Sequence, residues 1–207
     1  MIEIIDNAVQ LAVTLVCAGI SGTLALRQRK QAYTILACYY GALTMGILYW
    51  LVYDLITSYT PKIFYVSDLC WMASYLFLLM LVTATASQEE RTFRHPAAWI
   101  SPVISTALTL FYCQWGDWLE NIIWCGLMGA TGWFSISGFI WATRRKKTAR
   151  RNFHLAVLFL IAVEYCLWTA SCFWVSDTLA NPYFWFDFGL SGAAVLLLIA
   201  TERAVGK

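Results

Sequence analysis

The chain has 207 residues, of which 60% are hydrophobic and only 13% charged, and its mean hydropathy is +0.64. A soluble domain carries about 25% charged residues, so too little polar surface exists here to keep a folded monomer in water, and lipid is the expected solvent. The net charge of +2 is too small to make nucleic acid a default partner. Apolar stretches near the ~20 residues needed to cross ~30 Å of hydrocarbon recur seven times, with no soluble domain between them. In chain order they are Ala8 to Leu26, Ala32 to Ile56, Val66 to Ala86, Ala97 to Cys113, Leu119 to Ala142, Phe153 to Val175 and Phe184 to Ala200. The fold class expected is therefore an all-α, polytopic, seven-transmembrane-helix bundle, one membrane domain over residues 1–207. The fourth stretch is the shortest and contains Pro102, which Ser101, Ser105 and neighbouring helices are expected to accommodate by satisfying the freed carbonyl. Before the first stretch, Met-Ile-Glu-Ile-Ile-Asp lacks the basic segment of a cleavable signal peptide, so it is expected to be the mature end.

The basic residues divide sharply between the connections. Arg27, Arg29 and Lys30 lie in the first, Arg91 and Arg94 in the third, and Arg144, Arg145, Lys146, Lys147, Arg150 and Arg151 in the fifth; Arg203 and Lys207 follow the last span. Only Lys62 lies on the opposite side, thirteen against one. The positive-inside rule then puts the N-terminus outside and the C-terminus in the cytoplasm of a bacterial-type plasma (inner) membrane.

Charged side chains at membrane depth are costly and normally face the bundle interior. Asp54 closes the second span, Asp68 opens the third, Asp187 opens the seventh and Glu164 lies about midway along the sixth. Helical spacing sets aromatics beside them: Trp50 four residues before Asp54, Trp71 and Tyr75 three and seven after Asp68, and Trp168 four after Glu164. Convergence of these faces would make an acidic, aromatic-lined cavity open to the outside and suited to a cationic or heteroaromatic small molecule. The competing expectation is hydrated acids near span ends among an ordinary interfacial belt of Trp and Tyr. Glu164 fits that alternative least, because a midplane carboxylate must be neutral, paired or hydrated.

Other motifs carry less chemistry. The seven cysteines, Cys17, Cys38, Cys70, Cys113, Cys125, Cys166 and Cys172, show no Cys-x-x-Cys spacing and are expected mostly as packing residues, with room for one disulfide among Cys70, Cys113 and Cys172. His95 and His154 stand in no ligand-spaced cluster, so no metal or other cofactor is expected. Glu89, Glu90 and Arg94 fit the Glu-Glu-x-x-x-Arg element of intramembrane CAAX-type proteases, but the Phe-x-x-x-His partner is absent and a hydrophilic loop is expected instead. Ser135 to Gly138 falls short of the rhomboid Gly-x-Ser-Gly by the Ser at 135. A retinal protein would need a Lys in the seventh span, which has none, and Asn181-Pro182-Tyr183 lies at the wrong end of its helix for a receptor motif. The chain is expected not to be an enzyme.

Small residues form two stripes, Ala18 with Gly22 and Gly126 with Gly129 and Gly132, which allow close helix approach within the chain or in a homodimer. Spans one to three and five to seven correspond at an offset of about 120 residues: Pro61 answers Pro182, Phe64 answers Phe184, and Asp68 answers Asp187. This 3+1+3 arrangement is similar, in topology only, to SWEET-type carriers and the KDEL receptor, whose Pro-Gln pair is missing here. A closer resemblance rests on Ala25 to Lys30 before Tyr33, on Trp50 to Asp54, and on Tyr65-Val-Ser-Asp-Leu-Cys-Trp-Met-Ala-Ser-Tyr-Leu-Phe-Leu-Leu. These stretches resemble the seven-helix membrane sensor modules of bacterial histidine kinases and diguanylate cyclases. That resemblance implies a sensor or receptor module that binds a small molecule and signals to a cytoplasmic partner. A small-metabolite carrier, or a structural subunit of a larger membrane complex, is the alternative. The charge asymmetry itself is testable: cysteine labelling or reporter fusions at Thr148 and Asn181 should report opposite sides of the membrane, and finding both on one side would refute the orientation.

Overall fold

The structure, a computed structural model, describes residues 2–57 and 66–206. Pro61, Lys62, Phe64, Tyr65 and Lys207, which contribute to the charge division, the internal repeat or the sensor resemblance, lie outside the described residues. Among the described residues every regular element is helical: α1 (Ile2–Gln28), α2 (Gln31–Thr57), α3 (Val66–Ala84), α4 (Gln88–Thr92), α5 (Ile100–Tyr112), α6 (Trp118–Arg144), α7 (Thr148–Phe173) and α8 (Pro182–Val205). All but α4 and α5 are long and apolar enough to cross a membrane, six in all.

The expected fourth span corresponds to α5 and the 3₁₀ turn Pro96–Trp99 that leads into it, and it is shorter than the other six. Pro102 falls in the first turn of α5, where its missing N–H is no loss. The two serines therefore do other work than the sequence suggests. Ser101 donates across to the Gly129 carbonyl at 3.2 Å, and Ser105 shares a 2.7 Å hydrogen bond with Tyr165 on α7. Both bonds fasten α5 to its neighbours.

Local chemistry fixes the helix ends. Asp117 caps α6 by accepting from the backbone N–H groups of Leu119 and Glu120, and Asn181 caps α8 by accepting from Tyr183, with Pro182 in the first turn. Arg29 and Lys146, with φ of 52° and 56°, take the left-handed conformation that ends α1 and α6. Lys30 reaches across to donate to the Val205 carbonyl at 2.6 Å, a cation on the negative end of α8.

The six long helices close into a ring in the order α1, α2, α3, α6, α7, α8, with α8 returning to α1 and α5 lying outside against α6. What turns each helix is its polar face. On α1 the buried residues are Asp6, Asn7, Thr14, Cys17 and Ser21, whereas Ile5, Val9, Leu15, Val16 and Ile20 are exposed. This is the reverse of a soluble amphipathic helix and fits a surround of lipid. Gly129 and Gly132 let α5 approach: a Cβ at 129 would lie 3.4 Å from the Pro102 Cα, and one at 132 would meet Ser101. Among the described residues Gly22 and Gly126 have nothing within 4 Å of such a Cβ, so those members of the stripes do not serve close approach there. All seven cysteines are free thiols.

Packing is uneven along the ring. Toward the end that carries most of the basic residues, hereafter the basic end, it is filled by Leu36, Tyr40, Leu78, Leu81, Phe153 and Leu197, all essentially inaccessible. The Tyr40 hydroxyl crosses the interior to donate to the Ala194 carbonyl at 2.6 Å. Beyond this layer sits a charged cluster. Glu90, expected in a hydrated loop, is 6% exposed. Its carboxylate accepts from Arg150 Nη2 at 2.8 Å and Nε at 3.0 and 3.1 Å, and meets His154 Nε2 at 2.7 Å. Arg150 also donates to the Thr85 hydroxyl and the Val82 carbonyl. The loop expectation fails because α4 folds back under the ring and delivers Glu90 to the Arg150 guanidinium and the His154 imidazole of α7. Burial pushes the Glu90 carboxyl up, but the bonds from His154 and Arg150 outweigh it and hold the group below its ordinary 4.5. Breaking such a buried pair costs about 3–5 kcal/mol, so Glu90→Ala should unfold well before the parent in denaturant or heat. Because the folded value is depressed, that stabilisation is full above the ordinary value of 4.5 and is lost as pH falls through the folded one. A Glu90→Ala protein as stable as the parent at neutral pH would show that the cluster does not hold the fold.

Candidate functional site

At the N-terminal end the ring is hollow. A cavity of about 240 Å³ opens there between α1, α2, α3, α7 and α8. Six of the eight residues singled out by the sequence lie on its wall: Trp50, Trp71, Tyr75, Glu164, Trp168 and Asp187. Asp54 and Asp68 do not. Both are half-buried near helix ends, Asp54 near enough to Glu3 and Asp68 near enough to Glu120 to act on their charges. Three-residue spacing from Trp71 is too coarse a guide at the first turn of α3.

Two groups of acids organise the wall. Glu164, near the middle of α7, accepts from the Tyr75 hydroxyl of α3 at 2.9 Å and has the Trp168 indole within hydrogen-bonding reach one turn on. Asp187, in the first turns of α8, accepts from the Gln10 amide of α1 and is in hydrogen-bonding contact with Asp6, an arrangement two carboxyl groups make by sharing a proton. Asp6 and Asp187 are 1% and 4% exposed. Asp6 Oδ1 and the Ser191 hydroxyl, the latter on the cavity wall one turn beyond Asp187, have no hydrogen-bond partner among the described residues. Among the described residues neither Lys nor Arg lines this cavity.

The aromatic side chains pack in two groups. Trp50 and Trp71 lie 5.8 Å apart; Tyr75 meets Trp124 edge-on at 5.1 Å, and Trp124 meets Trp168 at 4.7 Å. Behind Trp71, Glu164 and Trp168 lies a wider hollow of about 450 Å³ that shares these three residues and reaches Glu120, Asn121 and Tyr112. Glu164 thus stands in a partition between two spaces.

Sequence reasoning missed the contribution of α1. Asp6, Gln10 and Thr14 recur every fourth residue on an otherwise apolar helix, and that spacing was the available signal. Starting the first span at Ala8 left Asp6 outside it, whereas α1 begins at Ile2. Tyr39, Tyr183 and Ser191 also line the cavity and carry no signal above the surrounding apolar pattern. Among the described residues no group of three or more His, Cys, Asp or Glu side chains is placed to hold a metal ion. Comparisons with protein-family models, with curated proteins and with solved structures find no match to this chain.

The shape of the wall depends on Gly46. A Cβ there would lie 2.8 Å from Trp71 Nε1 and 3.1 Å from Cys70 Cβ, so the indole rests directly on the α2 backbone. Gly46→Ala should displace Trp71 toward the cavity and destabilise by about 1–3 kcal/mol through overpacking. Chemical unfolding and quenching of tryptophan emission read the two effects, and a variant unchanged in both would show that the indole is not seated there.

Proposed function

We propose that this chain is a non-enzymatic membrane sensor or receptor module that binds a small cationic or heteroaromatic molecule in the cavity at its N-terminal end. In this reading α5 with its 3₁₀ turn is a seventh crossing, the N-terminus is outside and the C-terminus is in the cytoplasm of a plasma membrane. The observation that carries the reading is the composition of one wall: Glu164 and Asp187 set among Trp50, Trp71 and Trp168, with no Lys or Arg among the described residues that line it. A cation gains both carboxylate pairing and ring faces in such a space, while an anion meets only repulsion. The volume is below the about 300–1,000 Å³ of drug-sized pockets, which favours a small metabolite. Transmission to a cytoplasmic partner is assigned to α7. It carries Glu164 in the cavity, and His154 and Arg150 on Glu90, ten and fourteen residues nearer the basic end. At 1.5 Å per residue these are about 15 and 21 Å away along one uninterrupted helix.

A carrier with a 3+1+3 arrangement is the second reading. It is favoured by a ring made of two runs of consecutive neighbours, α1 to α3 and α6 to α8, with α5 outside. A structural subunit of a larger complex is a third, in which the exposed Trp99, Trp118 and Trp185 dock on other chains.

The test is a thermal-shift and calorimetric screen of organic cations, purines and indoles against the purified chain in nanodiscs, with neutral sugars as the contrasting class. Binding by a cationic or heteroaromatic member is expected, weakened tenfold or more by Asp187→Asn or Glu164→Gln. Glu164→Gln should also remove the pH dependence of binding. Counterflow of the bound molecule in liposomes would move the reading to the carrier; sugar binding, or binding indifferent to both substitutions, would overturn the cavity assignment.

A further inference from the structure

The basic end carries a hollow of its own, about 370 Å³, between the ends of α2, α3 and α6 and the short helix α4. Its wall includes Gln31, Arg91, Arg94 and Ser137, with Glu90 at its edge. Ser137 is 3% exposed and its hydroxyl has no hydrogen-bond partner among the described residues, so an unused donor lies within the wall of the hollow. Arg94 lies over the ring of Trp133, 4.7 Å from its centre. Trp133 is one turn before Ser137 on α6, which brings that guanidinium and that hydroxyl onto the same wall. Arg91 is held from the other side: its Nε donates to the Thr83 carbonyl at 3.0 Å and its Nη2 to the Ala84 carbonyl at 3.3 Å, both in the last turn of α3.

The charge of these two residues is not used within the chain. Among the described residues the acids of α4 are already committed, Glu90 to Arg150 and His154 and Glu89 to Arg145 at 3.3 Å, and no carboxylate pairs with Arg91 or Arg94. Arg91 spends two of its five N–H donors on α3, and Arg94 spends only Nη1, on the carbonyls of Arg91 and Phe93. The hollow therefore offers two oriented guanidinium groups, spare donors and a buried hydroxyl.

We propose that this hollow is an anion site for a phosphate group, held by Arg91, Arg94 and the Ser137 hydroxyl. Guanidinium planes match the oxygens of a phosphate in pairs, and a hydroxyl donor completes the cradle. The same chemistry has two sources at this face, the headgroup of an anionic phospholipid and a free phosphate or phosphate ester from the aqueous side. The site is separate from the acidic cavity and stands if the sensor reading falls.

The full chain is reconstituted in phosphatidylcholine nanodiscs, in phosphatidylcholine nanodiscs titrated with inorganic phosphate, and in nanodiscs that also contain phosphatidylglycerol, and its thermal midpoint is followed. A rise with phosphate assigns a soluble source; a rise with phosphatidylglycerol alone assigns the headgroup. Arg91→Gln with Arg94→Gln should weaken the response by about tenfold or more for each guanidinium lost, whereas Arg203→Gln, outside the hollow, should leave it intact. Ser137→Met fills the hollow without touching a charge and should abolish the response; it decides the matter should the double variant fail to fold. No rise in either arm, an equal loss with Arg203→Gln, or a folded double variant or Ser137→Met protein responding like the parent would each overturn the proposal.

Discussion

Hydrocarbon accepts no hydrogen bonds, and almost everything about this molecule follows from where its polar side chains go to find them. A polar group left facing lipid costs several kcal/mol, more than any single apolar contact returns, so each long helix rotates until its few polar residues meet others. On α1 that rotation turns Asp6, Gln10 and Thr14 inward and leaves Leu15, Val16 and Ile20 outward. On α3 and α7 it brings Tyr75 to Glu164; on α1 and α8 it brings Gln10 to Asp187. The ring is closed as much by these pairs as by the apolar layer at the basic end.

Two ways of satisfying buried charge appear at the two ends. At the basic end a guanidinium and an imidazole engage both oxygens of one carboxylate, and the result is a dense cluster in which His154 Nδ1 alone has no partner among the described residues. At the N-terminal end acids face acids, an amide and phenols, with unspent oxygens on Asp6 and Ser191. The first arrangement pairs its carboxylate within the chain and suits a joint. The second is incomplete without something that donates, which is the property expected of a binding cavity.

How far the sequence foretold this depended on the range of the interaction involved. Helix existence is a local property: Ala32 to Ile56 against Gln31–Thr57, and Val66 to Ala86 against Val66–Ala84, differ by a residue or two because apolar runs and polar ends mark them. Glu164 stood out for a similar reason, since a single acid in the middle of an apolar run is conspicuous without knowledge of the fold. Glu90 was opaque. Its neighbours in sequence, Gln88, Glu89 and Arg91, are exposed and read as a hydrated loop, and only contact with residues sixty positions later reveals its role. Asp68 is the opposite case, conspicuous in sequence yet not among the cavity's lining residues and close enough to Glu120 to act on its charge. Periodicity reports which face a residue occupies, and the neighbour that face meets is set by the other helices.

The return of α8 to α1 has a consequence for how the molecule is made. Gln10 and Asp187 are 177 residues apart, so at translation rates of about 5–20 residues per second the first helix waits about 9 to 35 s for the last. Throughout that interval Asp6, Gln10 and Thr14 lack the partner helix that later covers them, and the cavity has no fifth side. Biogenesis therefore passes through a stage in which the growing bundle is an open arc with a polar seam, and whatever shelters that seam, the insertion machinery or a transient pairing of α1 with α2, governs the yield of finished protein. The cavity appears only with the final helix, and a chain stalled before α8 has no interior to offer a ligand.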